Sequence, residues 1–158
     1  MLQGVHAGRD RDRAALAVLG MHRHATARGV HRRDYLAEDI DGKHVVTTGP
    51  GMIDFSVIKA DIEAHLTHRN LSPGAVAKRQ RVSDSYVRKL FAGEGTSFSE
   101  YVLARRLVRA HRILTDRRWA AVGIASIAYD AGFGDLSYFN RTFKRCYGAA
   151  PSEVRNAD

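Results

Sequence analysis

One short sequence pattern occurs twice in the C-terminal half of the chain. Residues 85–91 read SYVRKLF and residues 137–143 read SYFNRTF, so Ser, Tyr, a basic residue and Phe recur in the same order. In each copy, two apolar residues that follow the tyrosine are four positions apart, which is the spacing of one face of an α-helix. The repeat therefore predicts two helices of similar construction, each with an apolar inner face and a polar outer face.

The similarity extends to the residues that precede each copy. Ala77 comes five residues before Val82, and Ala128 comes five residues before Phe133. A small residue lets two helices cross closely, and an apolar residue in the turn fills the angle between them. The second copy has one additional turn residue, Gly134. Each copy therefore has the layout of a short helix, a tight turn and a second helix, which is a helix-turn-helix.

Helix start signals and apolar spacing predict six helices, a last helical turn and no strand between residues 53 and 156. The expected helices are one through Ile58 and Ile62, four that begin at Ser72, Ser83, Ser97 and Asp135, one through Ile124 and Ile127, and a turn after Pro151. The fold class of this region is therefore predicted to be all-α.

The longest predicted helix lies between the two copies. It begins at a capping box, Ser97–Glu100, and extends to about Thr115. Its expected apolar stripe consists of Leu103, Leu107, Ala110 and Leu114. Such a helix is about 27 Å long and, with the widths of the flanking helices, approaches the 34–36 Å of one DNA turn. A rigid helix of this length could hold the two outer faces in successive major grooves.

Basic charge is concentrated in the half that contains the repeat. Of the formal net charge of +8, residues 1–71 contribute little, with 10 Lys/Arg against 9 Asp/Glu, whereas residues 72–158 hold 15 against 8. This distribution favours a polyanionic partner, with nucleic acid first and an anionic membrane second. A basic surface without a specific partner is the alternative. No run of about 18 apolar residues is present, so no membrane span is expected.

The outer faces of the repeated helices carry side chains suited to nucleic acid. These residues are Asp84, Ser85, Arg88, Lys89 and Ala92 in the first copy, and Ser137, Asn140, Arg141, Lys144 and Arg145 in the second. Arg, Asn and Ser reach base edges, while Lys and Arg also neutralise phosphates. No acidic residue occurs among residues 136–147. The second outer face therefore repels a polyanion least. The apolar spacing alone is also compatible with an ordinary surface helix that binds no nucleic acid.

Residues 1–52 carry weaker signals and are interpreted as an extension or the remnant of a linker. A short helix is possible at residues 14–21, and a brief strand and turn at residues 44–51. His22, His24 and His31 are not expected to bind a metal, because no carboxylate or cysteine completes a ligand set at a familiar spacing. Neither a metal nor a cofactor is expected.

The single cysteine, Cys146, can form neither an intramolecular disulfide nor a cysteine zinc site. This fits a reducing, intracellular setting, and a cytoplasmic location is expected. Cys146 and Tyr147 are interpreted as packing positions.

Two longer segments resemble a known family. LFAGEGTSFSEYVLARRL (residues 90–107) and IASIAYDAGFGDLSYFNRTFKRCYGAAPSEVR (residues 124–155) are similar to the DNA-binding domain of the AraC/XylS family of bacterial transcription regulators. The resemblance implies a seven-helix domain over residues 53–156, with two helix-turn-helix subdomains joined by a long linker helix. It also implies sequence-specific binding to double-stranded promoter DNA, more often as an activator. RNA polymerase is then a possible partner, and a monomer is expected.

The resemblance assigns roles to individual residues. The positions equivalent to base-contacting ones are Ser85, Arg88, Lys89, Ser137, Tyr138, Asn140 and Arg141. Leu136 is also at such a position, but its phase could place it against the core. Expected phosphate contacts are Arg81, Arg112, Lys144 and Arg145. Because the two outer faces differ, the DNA site is predicted to be asymmetric.

The chain departs from the family pattern in several places. Ala150 stands where Ser or Thr often caps the last helix, Val154 replaces an aromatic residue, and Arg81 occupies the turn position that matches Gly132. About 55 residues before the domain cannot build the sensor domain that most members carry. The chain is therefore expected to be either a single-domain member or a fragment of a longer regulator.

Two other functions remain open at this point. One is a non-enzymatic basic module that binds RNA or protein. The other is the remnant of a fusion to a DNA alkylation-repair module that transfers a methyl group to cysteine. That chemistry is not expected with Cys146 as the only cysteine, so the chain is predicted not to be an enzyme.

Overall fold

The computed structural model of the protein describes residues 53–156. The expected short helix at residues 14–21, the expected strand at residues 44–51, and His22, His24 and His31 lie outside the described residues.

Seven α-helices and one short 3₁₀ helix make up the described part of the chain. They are α1 (Phe55–Ala64), α2 (Pro73–Gln80), α3 (Asp84–Gly93), α4 (Phe98–Leu114), the 3₁₀ helix (Arg117–Trp119), α5 (Ile124–Asp130), α6 (Leu136–Tyr147) and α7 (Pro151–Asn156). No strand occurs between residues 53 and 156, so the all-α prediction is confirmed. The 3₁₀ helix was not predicted. None of these helices is both long and apolar enough to cross a membrane.

Side-chain caps start the helices at the predicted residues. The hydroxyl of Ser72 accepts the Ala75 amide, and the hydroxyl of Ser83 accepts the Tyr86 amide. At the start of α4, the Ser97 hydroxyl accepts from the Glu100 amide at 3.2 Å while the Glu100 carboxylate accepts from the Ser97 amide at 2.8 Å. The predicted capping box is therefore confirmed, and it satisfies two amides that the helix itself leaves without partners.

The two helix-turn-helix units use the same turn. The Val82 amide donates to the Ala77 carbonyl at 3.0 Å, and the Phe133 amide donates to the Ala128 carbonyl at the same distance. Gly134, the additional residue of the second copy, lies between Phe133 and Asp135, the residue that caps α6. The repeat in the sequence is therefore a repeat in the backbone geometry.

In both turns, the residue before the amide donor has a positive φ angle. This residue is Arg81 before Val82 and Gly132 before Phe133. Arg81 has φ 57°, and no other non-glycine residue between 53 and 156 has positive φ. Gly132 has φ 95°, and a Cβ at this position would lie 2.6 Å from the Leu66 carbonyl oxygen and 2.7 Å from Nε of Arg106. The second turn therefore needs glycine both for its φ angle and for space.

Two apolar cores flank α4. The first core contains Ile58, Ile62, Leu66, Val76, Ala77, Val87, Phe91, Phe98 and Val102. The second core contains Leu107, Ala110, Leu114, Ile127, Ala128, Ala131, Phe133, Phe139, Phe143 and Cys146. The first turns of α4 complete one core and its later turns complete the other, so this helix belongs to both units.

The single apolar stripe predicted for α4 was too narrow. Leu107, Ala110 and Leu114 are buried as expected, but Leu103 is only partly buried. Val102, Ala104, Val108 and His111 are buried as well. A helix that packs against two cores needs apolar residues on more than one side, which a one-stripe interpretation cannot represent. The helix has 17 residues, which corresponds to about 25 Å.

The last helix, α7, begins with a cap that was not expected. Ala150 has no side chain that could cap it, as the sequence indicated, but the Glu153 carboxylate accepts the Ala150 amide at 2.5 Å. The Ala150 amide therefore has a side-chain partner, although Ala150 itself supplies no capping group. Val154 packs against the second core despite its smaller side chain.

Cys146 lies in the second core, as predicted for a packing position. Its side chain is 6% exposed, and burial raises the pKa of its thiol to about 11. A buried thiol with a high pKa is a poor nucleophile, because the thiolate is the reactive form. This environment does not favour a methyl-accepting or redox cysteine.

The capping box of α4 is open to a direct test. Replacing its N-terminal hydroxyl, Ser97→Ala, should lower the free energy of unfolding by about 1 kcal/mol, since one amide loses its partner. Ser99→Ala, two residues later on an exposed position inside α4, is the matched control and should cost little. Chemical denaturation of the two variants gives the comparison, and equal losses would contradict a role for the cap.

The burial of Cys146 predicts slow thiol chemistry. At pH 8 the native protein should react with an aromatic disulfide reagent on the order of a hundredfold more slowly than the unfolded chain, because its thiolate fraction is smaller. As the chain has one cysteine, the absorbance of the released thiolate reports this site alone. Equal rates in buffer and in guanidinium would show that the second core does not shield the thiol.

Candidate nucleic-acid interface

The outer face of α3 carries the first set of predicted base-contacting residues. Ser85, Arg88 and Lys89 are exposed, while Val87 and Phe91 on the opposite face are fully buried. The alternation follows from helical spacing, since residues four apart share a face. The structure thus presents all three predicted side chains on one surface.

The outer face of α6 carries the second set. Ser137, Asn140 and Arg141 are exposed, and Tyr138 is 44% exposed. The buried side of this helix is formed by Phe139 and Phe143, together with Thr142 and Cys146. Lys144 and Arg145 are exposed in the last turn of the helix. The predicted division into an outer polar and an inner apolar face is present in the fold.

Leu136 lies at the edge between these two faces. It is partly buried and packs against the second core. It also lines an open cleft of about 480 Å³ together with Asn140, Arg141 and Lys144. One side of Leu136 therefore faces the core and another borders the polar outer face, while a base contact by this residue stays a prediction.

Arg88 has a partner that was not anticipated. Its guanidinium donates to the Asp84 carboxylate at 3.2 Å, and both side chains are largely exposed. An exposed pair one helical turn apart contributes only about 0.3–0.5 kcal/mol. Arg88 can therefore exchange Asp84 for a stronger acceptor at small cost. This ion pair could have been predicted from the sequence, since opposite charges four residues apart face each other on a helix.

The tyrosines of the two repeats are placed differently. The Tyr86 hydroxyl donates to the Ile53 carbonyl at 3.2 Å, which turns this side chain toward the start of α1. The equivalent Tyr138 is exposed, and its ring is tilted against Phe133 at 6.4 Å between centroids. Of these two tyrosines, Tyr138 is therefore the more exposed.

The arginines of α4 divide into structural and exposed residues. Arg105 forms an ion pair with Glu63 of α1. Arg106 donates to the carbonyls of Leu66 and His68 at 3.0 and 2.7 Å, and burial lowers the pKa of its guanidinium. The guanidinium nevertheless remains charged at neutral pH. Neither residue was assigned a DNA contact.

Two of the predicted phosphate contacts, Arg112 and Arg81, lie outside α3 and α6. Arg112 is exposed and lines an open cleft of about 670 Å³ between α1, α4 and α5, together with Arg109 and Trp119. No residue predicted to contact a base lines this cleft. Arg81 is exposed in the turn before α3. Their phosphate contacts stay predictions.

Residues 53–156 contain no group of three histidine, cysteine or carboxylate side chains that could hold a metal ion. The side chains predicted to contact bases and phosphates carry hydroxyl, amide, ammonium and guanidinium groups. These groups donate hydrogen bonds to base edges and phosphate oxygens.

A family model described as a helix-turn-helix domain matches residues 76–157. The transcriptional activator RhrA of Rhizobium meliloti is 44% identical over 98 residues, which cover 62% of this chain and 31% of that protein. The arabinose operon regulatory protein of Escherichia coli is 35% identical over 95 residues, which cover 60% and 32%. The chain thus spans about a third of the length of these curated relatives.

Solved structures show the same fold. The C-terminal domain of the response regulator yesN from Fusobacterium nucleatum has 25% identity and a TM-score of 0.57, covering 64% of this chain and 96% of that one. The C-terminal domain of AraT, a response regulator from Geobacillus stearothermophilus, has 25% identity and a TM-score of 0.59, covering 65% and 84%. With two helix-turn-helix units built alike around one long helix, the chain belongs to the AraC/XylS family of helix-turn-helix proteins.

Proposed function

We propose that the chain is a sequence-specific transcription regulator whose helices α3 and α6 enter successive major grooves of promoter DNA. As a member of the AraC/XylS family, it carries the double-stranded-DNA-binding domain of such regulators. The observation that carries the proposal is the pair of matched turns, each followed by a helix with an exposed polar outer face.

The length of α4 supports simultaneous binding. Its 17 residues correspond to about 25 Å, and half the width of each flanking helix adds about 5 Å to the distance between their axes, which gives about 35 Å. Successive major grooves on one side of DNA are separated by 34–36 Å. Two units attached to opposite ends of this helix can therefore reach neighbouring grooves without bending the protein.

The chemistry of α6 supports direct reading of bases. Arg141 can donate two hydrogen bonds to guanine, and Asn140 can pair in the same way with adenine. Ser137 and Tyr138 supply hydroxyls on the same exposed surface. In the first unit we assign the equivalent role to Ser85, Arg88 and Lys89. Because the two sets differ in size and charge, the proposed site is asymmetric.

Phosphate contacts would hold these helices in register. We assign this role to Lys144 and Arg145 in the last turn of α6, to Arg81 beside α3 and to Arg112 on α4. Such contacts carry no base information but supply most of the salt-dependent affinity.

Activation is the proposed direction of regulation. RhrA of Rhizobium meliloti and NphR of Rhodococcus are both named transcriptional activators. An activator of this kind would act in the cytoplasm and would contact RNA polymerase. One chain supplies both recognition helices, so we propose that a monomer is sufficient for binding.

Selection from a random pool of DNA duplexes by the full chain tests the proposal. We expect an asymmetric motif whose two halves are centred about one helical turn apart. If no motif were enriched, sequence-specific recognition would be refuted, and RNA or protein binding would become the stronger function. A motif of about 5 base pairs would show that only one unit reads DNA.

A matched pair of variants separates base contacts from phosphate contacts. Arg141→Ala should cost about 1–3 kcal/mol at the selected site and relax the preference at one base pair. Lys144→Ala should weaken binding to every sequence and reduce the slope of affinity against salt by about one unit. Titrations of both variants at several salt concentrations measure the two effects. Equal losses by Arg141→Ala on specific and random duplexes would contradict its assignment.

A further inference from the structure

The side chain of Arg106 lies where the two halves of the protein meet. In the sequence of α4, Arg106 lies between Val102, which belongs to the first core, and Leu107, which belongs to the second. Nε donates to the Leu66 carbonyl at 3.0 Å, and Nη2 donates to the His68 carbonyl at 2.7 Å. Both carbonyls belong to the loop between α1 and α2, which is part of the first unit.

The turn of the second unit packs against the same group of atoms. A Cβ on Gly132 would lie within 2.7 Å of both the Leu66 carbonyl oxygen and Nε of Arg106. The backbone of this turn, immediately before Phe133, therefore contacts a guanidinium that is already held by the first unit. Arg106, Leu66 and Gly132 form one junction between the units.

A second contact from the same loop reaches the second unit. The guanidinium carbon of Arg69 lies over the ring of Tyr129 in α5, 5.3 Å from its centroid. This is within the range of a cation–π interaction. Residues 66–69 therefore contact the second unit directly, in addition to the covalent connection through α4.

These contacts matter because the two units are attached to opposite ends of α4, so that a small rotation of this helix displaces both recognition helices. A rotation of about 10° at the middle of a 25 Å helix moves each end by about 2 Å. This displacement is more than half of the 3.4 Å step between base pairs. An α-helix alone can curve, whereas contacts beside it restrict both bending and rotation.

We propose that Arg106 is a positioning residue that fixes the distance and angle between the two recognition helices, and thereby the spacing between the two halves of the DNA site. The effect on DNA spacing rests on the proposed function, but the effect on the protein does not. Arg106 itself touches no DNA in this account. It acts through the Leu66 and His68 carbonyls and through the turn at Gly132.

The restraint can be measured without DNA. Spin labels at Ser85 and Ser137, in a Cys146→Ala background of the full chain, report the distance between α3 and α6. We expect Arg106→Ala at least to double the width of the distance distribution, because the junction is lost. Arg109→Ala, which removes the same charge from an exposed position of α4, is the matched control and should leave the width unchanged.

An unchanged width in Arg106→Ala would overturn the proposal. Circular dichroism checks that each variant folds. If Arg106→Ala did not fold, Arg106→Lys would carry the test, because one ammonium cannot reproduce the two-pronged guanidinium contact. Arg106→Lys should then give a broader distribution of label distances than Arg109→Lys does. Equal widths in these two variants would overturn the proposal.

A DNA experiment tests the consequence. The duplex obtained by selection is compared with duplexes that have one base pair inserted or removed between its halves. The wild-type chain should lose on the order of tenfold in affinity on either change. The Arg106→Ala variant should lose less than about a third of this factor in affinity on the same change of spacing. A loss of affinity equal to that of the wild type would overturn the role of Arg106 in spacing. If selection gave no two-part motif, the proposed function would fail, while the label distances would still decide the role of Arg106.

Discussion

The described fold depends on the burial of α4 in two separate cores. Phe98 and Val102 complete the first core, while Leu107 and Leu114 complete the second. Most helical stability in proteins comes from such packing rather than from the helix itself. Because neither core is complete without this helix, the two units cannot adopt positions independently of it. The shared helix turns two small helix-turn-helix units into one body with two polar outer faces.

Local features of the fold were predictable from the sequence because their partners are only a few residues apart. The capping box at Ser97–Glu100 and the buried pair Phe139 and Phe143 are of this kind. The two exposed outer faces follow from the same spacing. The repeat added information, since matched turns at Val82 and Phe133 imply matched units. For this reason the exposure of the two polar faces was predicted correctly, while their contacts with DNA stay predictions.

Features that depend on distant partners were not predictable. Arg106 meets carbonyls about 40 residues earlier in the chain, so neither its spacing nor its charge distinguished it from Arg109. The position of Tyr86 involves a hydrogen bond to the Ile53 carbonyl, which lies 33 residues earlier and outside the repeat. The extra burial of Val108 arises because a helix packs on two sides. Tertiary contacts decided each of these outcomes, and one-dimensional patterns do not contain them.

In the proposed function, one chain reads two neighbouring major grooves. Protection of guanine N7 from methylation tests it most directly, because N7 lies in the major groove. On the selected duplex, the full chain should protect two groups of guanines centred about 10 base pairs apart on one side of the DNA. A single protected group, or two groups on opposite sides of the duplex, would rule out binding in two neighbouring grooves.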